Sequence, residues 1–104
     1  MPIVVIRSRG WTIHVVEDVR ESVIEHGYDE MNVELEGACL HSERMILVDD
    51  ALKRAHRLEI VIHEILHAYD INMTENRVRG ISRTIARALW RLGYADDAKR
   101  KPRV

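Results

Sequence analysis

Apolar positions form short continuous runs in the first half of the chain and recur at helical spacing in the second half. Ile3 to Ile6 and Trp11 to Val16 are rich in β-branched residues. They are separated by Arg7-Ser8-Arg9-Gly10, which predicts a hairpin or one bent strand. Glu17 to His26 predicts a helix, because Val19, Val23 and His26 share a face, acids crowd the first turn and Gly27 is placed to stop it. Glu34 to His41 and Arg44 to Val48 read as a second hairpin turning near Ser42-Glu43. The second of these strands is apolar enough to be largely buried.

From Ala51 to about Tyr69 the pattern turns helical, with Asp49 or Asp50 available as the cap. Leu58, Val61, Ile62, Ile65, Leu66 and Tyr69 fall on one side of that helix and predict its buried face. Asn72-Met73-Thr74 interrupts the pattern. Thr74 can cap a last helix running to about Leu92, where Val78, Ile81, Ile85, Leu89 and Leu92 are expected to face the core and Gly93 to end it. The order of strands, helix, hairpin and two helices predicts an α+β domain spanning residues 1–104, with helices packed on a small sheet. A ragged basic tail occupies about residues 96–104.

Composition narrows the class. Apolar residues make up 46% and charged residues 32%, the balance of a globular chain. No apolar run approaches the roughly 20 residues that span a bilayer, and the N-terminus lacks the pattern of a signal peptide, so a cytoplasmic protein without a membrane partner is expected. The formal net charge of −1 hides an asymmetry: residues 1–50 hold 11 acids against 4 bases, and residues 51–104 hold 6 against 12. Such a division can steer ligands or favour self-association, and leaves the oligomeric state open. Cys39 is the only cysteine, so any metal must be held by His, Asp or Glu.

The candidate chemistry centres on His63-Glu64-Ile65-Leu66-His67. On a helix, residues four apart project from one face, so both imidazoles can reach one metal ion, and imidazole suits Zn²⁺. Glu64 points partly sideways, toward a water on the metal rather than the metal itself, where a carboxylate can take a proton. A shuffled chain of this composition would show the spacing about 3% of the time. Chance matches usually fall in loops, whereas this one lies well inside an amphipathic helix with both His on its more polar side.

A catalytic tetrahedral site needs a third protein ligand and an open fourth position. Asp70 is near in sequence, but seven residues at about 1.5 Å each carry it too far along one straight helix. Glu75, opening the next helix after the break, is the favoured third ligand. Asp70 is then expected to orient His67 from outside the metal's own ligands, while Asp70 itself, His41, His56 and another acid stay open as the third ligand. Arg79, Arg83, Arg87 and Arg91 form a basic stripe with Arg77 nearby, which is either a solvated face or a surface for an acidic or nucleic-acid partner. One of these arginines, Tyr69 or Tyr28 could stabilise an oxyanion. Cys39 reads as a small core or strand residue.

Glu36-Gly37-Ala38-Cys39-Leu40, Met45-Ile46-Leu47-Val48-Asp49, His63 to Asp70 and Thr74-Glu75 together resemble the minimal zincins of bacteria and phages, the small SprT-like and ImmA/IrrE-like metallopeptidases. The resemblance covers about residues 34–92. It implies a gluzincin-type site with His63, His67 and Glu75 as zinc ligands and Glu64 as general base. It also implies a strand around Met45–Val48 that borders the cleft and pairs with an extended protein or peptide substrate. No third His stands at the metzincin spacing. Hydrolysis of peptide bonds is the leading expectation. A zinc-stabilised binding module without turnover is the second, and a nucleic-acid-binding protein using the Arg stripe is the third.

Overall fold

The computed structural model describes residues 5–8, 10–28 and 36–94. It is an α+β fold with elements in the order β1 (Val5–Ser8), β2 (Trp11–Val16), α1 (Val19–Glu25), β3 (Gly37–Leu40), β4 (Met45–Asp49), α2 (Arg54–Tyr69) and α3 (Glu75–Arg91). The expected basic tail, and the Ile3 and Glu34 starts of two expected strands, lie outside the described residues.

Four strands form one sheet in the order β1-β2-β4-β3. The β1–β2 hairpin is antiparallel, with Ser8 opposite Trp11 and Gly10 at a φ of 83°, a conformation glycine adopts without strain. From β2 the chain passes through α1 and β3 before β4 enters parallel to β2. β3 and β4 are antiparallel, joined through His41 to Arg44, with Arg44 itself at a φ of 51°. Asp18 caps α1 by accepting from the Glu21 N–H at 3.0 Å, and Gly27 follows its end at a φ of 87°.

β4 is buried on both faces, which is why its sequence is continuously apolar rather than alternating. Leu47 faces α1 together with Val19, Val23, Ala38 and Leu40, while Ile46 and Val48 face α2 with Ile13 and Ile60. This position corrects the expectation of strand addition along Met45–Val48. β4 spends its hydrogen bonds on β2 and β3, and β3 is the outer strand on that side among the described residues.

α2 lies between the sheet and α3, so its buried side differs from the expected one. Ile60, His63 and Glu64 are buried, whereas Ile65 and Tyr69, expected in the core, are exposed. Nor do Asp49 or Asp50 cap it. Its N-cap is Lys53 without a side-chain bond, and Arg57 instead ties down the approach by donating to the Asp50 and Leu52 carbonyls at 2.8 and 3.2 Å. α3 packs chiefly on α2 through Val78, Ser82 and Ala86, one narrow strip at four-residue spacing. Small residues there let the helices come close, and Ile85 and Leu92, expected in the core, stand outside the strip and are exposed.

At the other side of α2, Gly37 sets the approach of β3. A Cβ built on Gly37 would lie 2.7 Å from Ile60 Cγ2 and 3.1 Å from Glu64 Oε2. Gly37→Ala therefore overpacks a stiff β-branched contact and should lower stability by about 1–3 kcal/mol. Urea unfolding checks this, and a midpoint equal to wild type would show that α2 can shift without cost.

Candidate metal centre

His63 and His67 stand one turn apart on α2 and project from the same side of it. Their ring centroids are 4.9 Å apart and their Nε2 atoms 3.2 Å apart. The third member arrives from α3. After Tyr69, Asp70 Oδ1 accepts from the Asn72 N–H at 3.0 Å, the Met73 N–H bonds back to the Asp70 carbonyl, and Thr74 Oγ1 accepts from the Arg77 N–H as N-cap. This reversal places Glu75, the first residue of α3, over the two rings. Its Oε1 lies 2.8 Å from His63 Nε2 and its Oε2 2.8 Å from His67 Nε2.

The ligand atoms of His63, His67 and Glu75 lie within 4.8 Å of one another, and the group could hold a metal ion. One atom carries the test of fit. Glu75 Oε1 is buried and accepts no hydrogen bond, although a ring nitrogen is 2.8 Å away. A buried acceptor left so costs free energy and is accounted for by an ion or water at the site, while the second oxygen, Oε2, is within hydrogen-bonding geometry of His67 Nε2. The rest of the Glu75 side chain is 42% exposed, so the group is closed from the protein side and open toward solvent.

Glu64 follows His63 and is only 3% exposed, held where α2 meets the start of β3. Its charge is felt by Cys39, whose thiol is pushed up to about 12, first by burial and then by the Glu64 carboxylate. Cys39 is therefore the partly buried strand residue the sequence suggests, its Sγ 3.6 Å from His41 Nε2.

The remaining candidates are placed elsewhere. His41 packs edge-on against Trp11 with centroids 5.5 Å apart, and His56 pairs with Glu36. Asp70 builds the turn rather than joining the ligand group. The Tyr28 hydroxyl donates to Glu43 at 2.6 Å, and Tyr69 stands on a different flank of α2, beside a groove of about 430 Å³ that also takes in Trp11, Ile13 and Ile65. Of the Arg stripe, Arg83 meets Glu59 at 3.6 Å, while Arg79 Nη2 stands 3.7 Å from Glu75 Oε1. Gly37 was the residue missed for this site. A glycine inside a strand pattern signals close approach of another backbone or side chain, and that was the available clue.

Comparison with protein-family models, with curated proteins and with solved structures gave no match.

Two outcomes follow. Metal titration should give about one ion per chain, lost in His63→Ala, His67→Ala and Glu75→Ala, while Asp70→Asn stays within about tenfold, short of the loss caused by removing an outer-shell partner. Full occupancy in any of the three alanine variants would remove that residue from the centre. In the metal-free protein, Cys39 should react with a thiol reagent near neutral pH at least about a hundredfold more slowly than free cysteine, because the thiolate is the nucleophile. Glu64→Gln should speed that labelling by removing the nearby charge. Labelling of wild type at the free-cysteine rate would refute the burial of the thiol beside Glu64.

Proposed function

We propose that this chain is a zinc-dependent metallopeptidase of minimal zincin type, with His63, His67 and Glu75 holding the ion and Glu64 as general base. The observation that carries the reading is a buried carboxylate one residue from a three-membered ligand group, with no fourth His, Cys, Asp or Glu in that group among the described residues. A structural zinc site is normally closed by four protein ligands, whereas a catalytic one keeps a position open. Two imidazoles and one carboxylate suit zinc, and the two ring nitrogens, 3.2 Å apart, are near the edge of about 3.3–3.4 Å of a tetrahedron built on bonds of about 2.0–2.1 Å.

A zinc ion bound there would act as a Lewis acid that acidifies water and polarises a carbonyl. Glu64 takes the proton as the water oxygen bonds to the carbonyl carbon, and passes it to the amine nitrogen as the C–N bond breaks. The edge of β3, the outer strand among the described residues and beside Glu64, offers main-chain groups to an extended protein segment, which moves the expected strand addition from β4 to β3.

One observation favours a second reading. The ligands come from two helices, so an ion would clasp α2 to α3 and stabilise the fold without any turnover. Glu64→Gln separates the two. It should retain the metal and the fold but lose hydrolysis of an unfolded protein substrate by at least about a hundredfold. Equal turnover by the variant and wild type would exclude Glu64 as the base. A metal-loaded wild type that cleaves no such substrate favours the clasp.

A further inference from the structure

The metal centre has a positive group on its rim that the scheme above does not use. Arg79 lies one turn after Glu75 on α3, and its Nη2 is 3.7 Å from Glu75 Oε1. That distance is beyond a formed hydrogen bond, so the guanidinium is near the carboxylate without having committed a donor to it. Its side chain is 49% exposed, and that of Glu75 is 42% exposed. Of the other donors considered for such a role, Tyr28 is turned to Glu43, Arg83 to Glu59 and Tyr69 to the far flank of α2.

In the metal-free chain Arg79 partly neutralises Glu75. Were Glu75 to hold a divalent ion, the guanidinium of Arg79, 3.7 Å from Glu75 Oε1, would be left as a positive charge beside the centre with no carboxylate to offset it. Two like charges so placed favour an anion that reaches both. Guanidinium is suited to this, because it stays charged and presents five N–H donors in a planar fork.

We infer that Arg79 is the anion-holding residue of this centre, donating to a negatively charged oxygen bound beside the ion. The inference rests on the metal centre proposed above. In the peptidase reading, that oxygen is the carbonyl oxygen of the scissile bond as it gains charge during attack, so Arg79 lowers the barrier by meeting charge where it develops.

The test uses the full chain loaded with cobalt(II), whose visible absorption reports what enters the metal's surroundings, titrated with inorganic phosphate as the probe. Metal content is measured first on the same sample. Wild type should show a saturable change. Arg79→Ala should bind phosphate about tenfold to a hundredfold more weakly, the range for one hydrogen bond to a charged group, with Arg79→Lys in between. Metal affinity should stay within about threefold in both variants, since Arg79 is not a ligand. Equal phosphate affinity in Arg79→Ala and wild type overturns the inference, as does a loaded wild type that gives no change. A parallel fall in metal affinity overturns it too, by making Arg79 a tether for Glu75. Wild type that holds no metal defeats the metal centre itself, before any phosphate is added. A loaded protein that binds phosphate through Arg79 yet cleaves no peptide defeats only the peptidase reading.

Discussion

The burial of Glu64 is the constraint on which the rest of the structure depends. A carboxyl group at 3% exposure is costly to hold, because a polar group taken out of water must be partnered inside the protein. A sequence that wanted only a stable helix would place an apolar residue between Ile60 and His67 on that face. Here the helix instead turns its His-Glu face inward and leaves Ile65 and Tyr69 outside. Cost on the polar side and exposure on the apolar side both run against stability, as expected if this face carries the proposed site.

That orientation dictates small residues on both sides of α2. On the sheet side Gly37 lets β3 come within reach of Ile60 and Glu64. On the other side Val78, Ser82 and Ala86 let α3 come close, and the Ser82 hydroxyl donates to the Arg79 carbonyl at 3.1 Å, so its burial leaves no orphan polar atom. The apolar core proper is carried elsewhere, by β4 with its two buried faces. Stability and chemistry thus sit in adjacent layers: the sheet supplies apolar burial, and α2 with α3 supplies the polar cluster.

The described elements were legible in the sequence, and so was the grouping of His63, His67 and Glu75 that could hold a metal ion. Strand and helix boundaries follow from runs, caps and glycines that act locally, such as Asp18, Thr74 and Gly27. The buried faces of the helices were not legible. Periodicity tells which side of a helix is apolar, but α2 is covered from two directions, so its apolar side and its buried side part company at Ile65 and Tyr69. For α3 the limit is different. It packs on a single helix, which covers a narrower strip than a broad core would, and Ile85 and Leu92 fall off its edge. Sheet order was legible only in part, for a third reason. Nothing in the run Met45 to Val48 distinguishes a central strand from an outer one except its unbroken apolarity, and that feature does argue for the centre.

Asp70 shows how position along the chain misleads about position in space. Seven residues after His63, on a similar face, it is the acid nearest the motif, yet a rise of about 1.5 Å per residue carries it past the point where the imidazoles converge. Its carboxylate is spent on the Asn72 N–H, closing the turn that lets the chain reverse. The Met73 N–H on the Asp70 carbonyl and the Thr74 cap complete that reversal, and Glu75 arrives between the two rings with one oxygen for each. The acid that looks like a ligand is therefore what delivers the acid that can be one. Because the same turn also fixes where α3 begins, it sets the position of Arg79 one helical turn later, so the charge on the rim of the centre and the third member of its ligand group are placed by a single piece of backbone.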